Sequence, residues 1–405
     1  MANFHWAILK FFTEKRVDYM KKVLAVLTAV IFLAGCSPKP KTTAPLKHSG
    51  VWLTYSEVDA MLENGLEKEI ETLIKNCQNL KINNLYIHVR AFGDSLYESE
   101  YFSENSKTDK YDFDVLEYII KKCHKSNILV HAWINPYRIS ATSENIEEID
   151  KENPAYIWLH DDKTENDKNV CISGGIYLNP GESQVQALII NGVREIVSNY
   201  DIDGIHFDDY FYPTQSEDFD KLSYDAYKNN TENPLDLSSW RRLNVDLLLS
   251  GTYNAIKHIR EEVIFSVSPA AGVENNFNNL YADVRSWVDN GYIDAIIPQL
   301  YFGFEYPDED YKFENLLKIW GDICALNPNV KMYIGLAFYK AKPTLAADIA
   351  EWEAKSDIIK RQVEACDKNA NADGLVYFSY SSLISSDSEF KAERENLLDY
   401  LKTRD

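Results

Sequence analysis

Eight short apolar runs, alternating with helix-period segments, constrain this chain more than any other feature of it. The runs fall at residues 51–55, 84–90, 128–135, 204–210, 263–268, 295–301, 332–338 and 374–380. Between them lie residues 66–80, 115–126, 184–200, 245–261, 280–290, 315–325 and 358–370, where apolar positions recur every three or four residues. Strands that alternate with helices return to the sheet in the same direction, so the sheet is parallel. Eight such units close into an α/β fold, the (β/α)8 TIM barrel, whose reactive rim lies at the C-terminal ends of the strands. No shorter period repeats, which disfavours solenoids and propellers.

Side chains along a strand alternate between two faces. In the second run Leu85, Ile87 and Val89 oppose Tyr86, His88 and Arg90. In the third, Val130, Ala132 and Ile134 oppose His131, Trp133 and Asn135; in the fourth, Ile205 and Phe207 oppose His206, Asp208 and Tyr210. The aliphatic set belongs under the helices, so the polar and aromatic set is expected in the lumen. Barrel interiors are usually filled with Val, Ile and Leu. Three strands carrying ionisable groups toward one mouth therefore point to function.

Two connections are longer than turns, residues 139–180 and 211–240, and both follow strands at the reactive rim. Long loops there are expected to wall a substrate cleft. Their carboxylates (Asp161, Asp162, Glu217, Asp218 and Asp220) read as a solvated surface.

The formal charge of −21 argues against nucleic acid and anionic headgroups as partners. The 13% aromatic content supplies ring faces for sugars, although most of these rings are expected in the core. No GxSxG, HExxH or GKS/T motif occurs, and the few His are not at metal spacings, so neither cofactor nor metal is expected. Cys77, Cys123, Cys171, Cys324 and Cys366 are scattered and odd in number, which reads as buried small residues rather than disulfides.

The N-terminus reads as an export signal. Met20-Lys21-Lys22 precedes an apolar run from 23 to 33, too short to span a bilayer, and then Leu33-Ala34-Gly35-Cys36. That last block resembles the lipobox of bacterial lipoproteins, which implies acylation of Cys36 and a protein anchored to a membrane at the cell surface or in the periplasm. Met20 makes a better start than Met1. The organisation is then a signal peptide at 1–36, a Pro-, Lys- and Thr-rich tether at 37–48 and the barrel at 49–405.

Asp208 ends the fourth run beside His206 and Tyr210. A carboxylate there suits sugar chemistry, where an oxocarbenium-like transition state needs negative charge nearby. Asp209 reaches the lumen only where the strand ends or bulges. A second carboxyl group is needed as acid, and Asp209, Asp94, Glu274 and Glu305 all remain open. Gln299 and Tyr301 offer hydrogen bonds to hydroxyl or acetamido groups. Asn135 and Arg138 offer the same, with a cation for a substrate carboxylate. Trp52 and Trp133 are candidate stacking platforms.

At these residues the chain resembles the glycosyl-hydrolase-like family 10 proteins. The matching blocks are Gly50-Val51-Trp52-Leu53-Thr54, Val89-Arg90 through Gly93-Asp94-Ser95-Leu96-Tyr97, His131 to Arg138, Leu178-Asn179-Pro180-Gly181, Asp203 to Pro213, Trp240-Arg241-Arg242 with Asn244, Ser268-Pro269, and Tyr281-Ala282-Asp283 to Tyr301. The resemblance implies a barrel glycosidase, and the family is linked to peptidoglycan stripped of its peptides. Asp203, His206, Asp208 and Tyr210 are similar to the four acidic places of the chitinase DxxDxDxE signature, but Tyr210 departs from its final Glu. The adjacent Asp208-Asp209 is similar to the Asp-Glu pair of hexosaminidases, which implies that Asp208 orients an acetamido group while Asp209 protonates the leaving oxygen. The expected function is hydrolysis of N-acetylhexosamine-containing wall glycan. A glycan-binding lipoprotein without activity, or a hydrolase of another polysaccharide such as an α-glucan, are the alternatives; oligomeric state is not legible.

Overall fold

The eight expected strands close on themselves. In the computed structural model they are β1 (His48–Leu53), β2 (Asn84–Arg90), β3 (Leu129–Ile134), β4 (Gly204–Phe207), β5 (Ile264–Val267), β6 (Ala295–Ile296), β7 (Lys331–Ala337) and β8 (Gly374–Phe378). Each pairs in parallel with the next, and β8 pairs with β1. Residues 47–342 and 349–404 are described. The export signal, Cys36 and tether residues 37–46 lie outside the described residues, and β1 begins one residue before the expected start of the barrel.

Helices Leu66–Asn79, Val115–His124, Ser183–Asn199, Phe313–Cys324 and Ile358–Lys368 stand close to their expected places. The helix expected at 245–261 instead runs Leu237–Ile259, because Asp236 caps it by accepting the Ser239 N–H at 2.9 Å. β6 is the shortest strand. Pro298 has no N–H to give the ladder, and the chain continues irregularly: the Gln299 N–H donates to Pro269 O, and Pro298 O accepts from the Gly335 N–H, both at 3.0 Å.

The alternation expected from the sequence holds along most of each strand. Val51, Leu53, Leu85, Ile87, Val130, Ala132, Ile134, Ile205 and Phe207 are buried in the large core shared with the helices. Each fully buried aliphatic side chain of this kind contributes about 1.5–3 kcal/mol. Trp52, Tyr86, Trp133, Ile297 and Val376 form a separate cluster with Tyr333 and Phe378, the filling of the lumen.

One residue breaks the alternation. The β2–β3 register slips between His88 and Arg90, and a bulge turns the following side chain to the other face. Arg90 therefore sits outside the lumen, its guanidinium 3.9 Å from the Phe102 ring centroid. Helix Ser183–Asn199 closes over it at Gly192, where a Cβ would lie 2.8 Å from Arg90 Nη1. A larger residue there would force the Arg90 or Phe102 side chain to shift.

The two long connections are folded rather than loose. Residues 139–180 contain helix Pro154–His160 and strands Val170–Ile172 and Ile176–Leu178, which make a small antiparallel sheet with Arg138–Ser140. The 211–240 segment is held by an ion pair. Arg241 Nη2 lies 2.6 Å from Asp220 Oδ1 and Nε 2.9 Å from Oδ2, with both side chains fully buried. The remaining guanidinium N–H groups donate to Tyr281 Oη at 3.0 Å and to the carbonyls of Gln215 and Ser216. Asp220 is thus no part of a solvated face, contrary to expectation; its partner comes from helix Leu237–Ile259, beyond the intervening helix Lys221–Asn229. Removing one member of such a pair strands the other's charge, so Arg241→Ala is expected to destabilise the fold by about 3–5 kcal/mol in urea unfolding. A loss under about 1 kcal/mol would mean that the loop is anchored elsewhere. The five cysteines outside the export segment are buried free thiols.

Candidate active site

At the C-terminal ends of the strands lies a cleft of about 460 Å³, lined by Trp52, Thr54, Tyr55, His88, Trp133, Arg138, Asp208, Asp209, Tyr210, Ser268, Gln299, Tyr301, Tyr339 and Phe378. Asp208 follows the last residue of β4 and is nearly inaccessible, at 3%. Its Oδ2 accepts the Trp133 indole N–H at 3.0 Å, and its Oδ1 accepts the Tyr210 N–H at 3.3 Å. Since β4 ends at Phe207, strict alternation stops there, and Asp209 also faces the cleft. Asp209 is the more exposed of the two, and its Oδ1 accepts from Gln299 Nε2 at 3.2 Å.

Burial, then the charge of Asp209, raise the Asp208 carboxyl to about 8, against the pull of Arg138 and the two N–H donors. Burial also raises Asp209, against Gln299 and Arg138. Desolvation and mutual repulsion make two ionised carboxylates side by side costly. One proton shared by the pair is therefore favoured over two ionised carboxylates.

The rings beneath are fixed by their own hydrogen bonds. Trp52 donates its indole N–H to His206 Nε2 at 3.0 Å. Indole only donates, so His206 carries its proton on Nδ1 and gives it to Ser266 Oγ at 2.9 Å. Burial, with His131 and His88 nearby, keeps the His206 ring neutral by lowering its pKa. His88 stacks on Trp133 at 3.5 Å and 11°, and burial followed by Arg138 likewise lowers its pKa. Arg138 lies between two rings, its guanidinium carbon 4.7 Å from the centroids of Phe92 and of Tyr210.

Among the residues read from the sequence, Trp52, Trp133, Arg138, Asp208, Asp209, Tyr210, Gln299 and Tyr301 meet at the cleft. His206 stands behind it as the support of Trp52. Three more stand elsewhere. His131 lies lower in the barrel, stacked on Tyr86 at 4.3 Å and bonded to Asn84 at 2.9 Å, under a Gly204 whose Cβ would collide with its ring. Asn135 is buried behind the wall, donating to Ala91 O at 3.2 Å. Arg90 is turned outward by the bulge.

The rival acids are displaced as well. Asp94 accepts from Asn105 Nδ2 at 2.7 Å within the β2–helix connection. Exposed Glu274 borders a separate groove of about 560 Å³ that shares no lining residue with the cleft. Glu305 is paired with Lys355. Asp203 accepts from His124 Nε2 and the Val130 N–H, both at 2.7 Å, at the strand entrance. Tyr55, Tyr339 and Phe378 were not singled out by the sequence, and Ser268 entered only through the Ser268-Pro269 block; for Phe378 the lumen parity of β8, shared with Val376, is the signal. Among the described residues no three His, Cys, Asp or Glu side chains group as a metal site.

A match to the family described as Glycosyl hydrolase-like 10 runs over residues 47–353. The chain belongs to that family. This glycosyl hydrolase-like 10 protein is 30% identical over 321 residues to glycosyl hydrolase YngK of Bacillus subtilis, covering 72% of the chain but only 60% of that relative. It is 30% identical over 361 residues to glycosyl hydrolase DigH of Escherichia coli O6:H1, covering 82% of the chain and 78% of the relative. By family and by named relatives it is classed with the glycosyl hydrolases. The PgaB (BpsB) glycoside hydrolase domain of Bordetella bronchiseptica superposes with a TM-score of 0.57 at 11% identity, over 87% of this chain and 99% of that one. A likeness at that identity speaks to the barrel alone.

Proposed function

We propose that the cleft hydrolyses glycosidic bonds in bacterial cell-wall glycan, in peptide-free strands containing N-acetylhexosamine, with Asp208 as the central carboxylate and Asp209 as the proton donor. The observation that carries this reading is the adjacent pair itself, the two carboxylates lining an aromatic-walled cleft at the end of β4. The names of the relatives support glycoside hydrolysis. The Leu33–Cys36 block supports export and a lipid anchor at Cys36, which bring the cleft to the wall.

One proton shared by two aspartates suits a substrate-assisted displacement. An acetamido N–H that donates to Asp208 favours its ionised form, which leaves the proton on Asp209. Asp209 gives that proton to the glycosidic oxygen as the bond to the anomeric carbon breaks. The acetamido carbonyl oxygen closes on that carbon, and Asp208 steadies the positive charge that develops. Water then adds at the anomeric carbon, returning the carbonyl oxygen and giving its proton to Asp209. Trp52, Tyr301 and Phe378 supply ring faces for the sugars.

The test is release of reducing ends from peptide-free strands by the chain from Ser37 onward. Release that Asp208→Asn lowers by about 10²–10³-fold is expected. Binding without release from any polysaccharide, unchanged in Asp208→Asn, would instead favour a glycan-binding protein without activity.

A further inference from the structure

The Asp208-Asp209 pair has four carboxylate oxygens, and three of them accept an N–H from another residue. Asp208 Oδ2 takes the Trp133 indole at 3.0 Å and Oδ1 the Tyr210 backbone at 3.3 Å. Asp209 Oδ1 takes Gln299 Nε2 at 3.2 Å. Among the described residues no other residue donates to Asp209 Oδ2. The Gln299 amide cannot be turned over. Its Nε2 donates a second time, to Ser268 O at 3.1 Å, and a carbonyl only accepts, so the nitrogen must face that way. The backbone is held too: the Gln299 N–H donates to Pro269 O at 3.0 Å, and Gln299 bridges in parallel to Ala270 on one side and Gly335 on the other. Expected from the sequence to bond the sugar, Gln299 instead commits both amide N–H groups to the protein.

We infer that Gln299 is a positioning residue for the proton donor: its locked amide keeps Asp209 Oδ1 an acceptor, so the proton given to the leaving oxygen departs from Oδ2. The inference rests on the hydrolase reading above and assigns the acid's role to one of its two oxygens. A proton on Oδ1 would compete with the Gln299 N–H for the same oxygen, whereas Oδ2 is open. Oδ2 gives its proton to the glycosidic oxygen as the bond to the anomeric carbon breaks. Negative charge then develops on the Asp209 carboxylate, where the Gln299 N–H is already aimed. A hydrogen bond that strengthens as its acceptor ionises favours the transfer more than the ground state. The water that adds later returns a proton to Oδ2, which restores the pair. Without this anchor the carboxyl turns about its Cβ–Cγ bond and presents either oxygen to the sugar.

The experiment compares the native protein with Gln299→Met, which keeps the bulk of the side chain and has no N–H. On peptide-free glycan strands kcat is expected to fall by about 10–100-fold, the worth of one hydrogen bond to a charged group. On a nitrophenyl N-acetylhexosaminide, whose leaving group needs no proton, the fall is expected to stay within about threefold. The N–H favours the ionised carboxylate, so its loss makes the pair hold its proton more tightly. The decline of kcat/KM on glycan at high pH is therefore expected to move upward by about one pH unit, the tenfold end of the same contact. Changing a residue that binds the sugar, or one that only shapes the cleft, would slow both substrates alike and leave that decline in place. Equal losses or an unmoved decline overturns the inference and leaves the hydrolase reading standing; where only glycan is turned over, the decline decides alone. Turnover of neither substrate by the native protein counts against the hydrolase reading. An NMR titration of isotope-labelled aspartate carboxyls then decides the inference, the Asp209 signal being assigned by its absence from Asp209→Asn. A midpoint raised by about one unit in Gln299→Met supports it, and an unchanged midpoint overturns it.

Discussion

Asp209→Asn is expected to lower kcat on peptide-free glycan strands by about 10²–10⁴-fold, the usual contribution of a positioned general acid. The amide keeps the shape of the side chain and an oxygen for Gln299 Nε2 but has no proton to give. A leaving sugar departs as an alkoxide unless it is protonated, whereas a nitrophenolate departs unaided. On a nitrophenyl N-acetylhexosaminide the same substitution is therefore expected to cost only about tenfold or less. The comparison separates a proton donor from a residue that merely shapes the cleft, whose loss would be similar on both substrates. Since the pair holds its proton through a carboxyl raised to about 8, kcat/KM of the native protein should fall as pH rises through that region, and the decline should be absent from the residual activity of Asp209→Asn on the aryl substrate.

Asp208→Asn has a different signature. It removes the charge that steadies the acetamido intermediate, so turnover falls by about 10²–10³-fold on glycan and aryl substrates alike. It also stabilises the fold, and the sign follows from linkage. Asp208 binds its proton more tightly folded, with a pKa near 8, than unfolded, at about 3.9. The contribution is complete below the unfolded value and is lost as pH climbs through the folded one. At pH 9 the native protein must bury an ionised carboxylate or release it, while the variant buries a neutral amide. The variant should then be more stable by on the order of 3 kcal/mol at pH 9 and nearly equal at pH 4, allowing about 1 kcal/mol for one N–H donor left without an acceptor. Urea unfolding at the two pH values measures this. Loss of stability at pH 9 would mean that Trp133 and Tyr210 depend on the charge of Asp208 more than the fold resents burying it.

The barrel was legible because parallel strands bury both faces, and apolar runs spaced by amphipathic helices leave few other closures. The site was legible to the depth that parity reaches. Asp208 and Trp133 follow from counting alternate residues, and Trp52 was named as a stacking platform without that count; Asp209 follows once β4 is allowed to end at Phe207. Arg90 fails because a bulge is a property of two paired strands and leaves no mark in one of them. Parity also gives the face but not the height, so His131, near the start of its strand, was read into a mouth that it underlies. Glu274 and Glu305 sit on connections whose path is set by packing against helices. Asp220 looked solvated because its partner, Arg241, is twenty-one residues away on a helix that starts eight residues before its apolar period becomes visible. In the cleft, Tyr339 and Phe378 come from the far end of the chain and carry no chemistry that would single them out.

The most direct measurement is a crystal structure of Asp209→Asn with an N-acetylglucosamine oligomer bound. The account predicts a sugar against Trp52 and Tyr301, its acetamido nitrogen within hydrogen-bond reach of Asp208, and the oxygen linking it to the next sugar beside residue 209. An oligomer lying outside this cleft, or one whose acetamido group points away from Asp208, would contradict it.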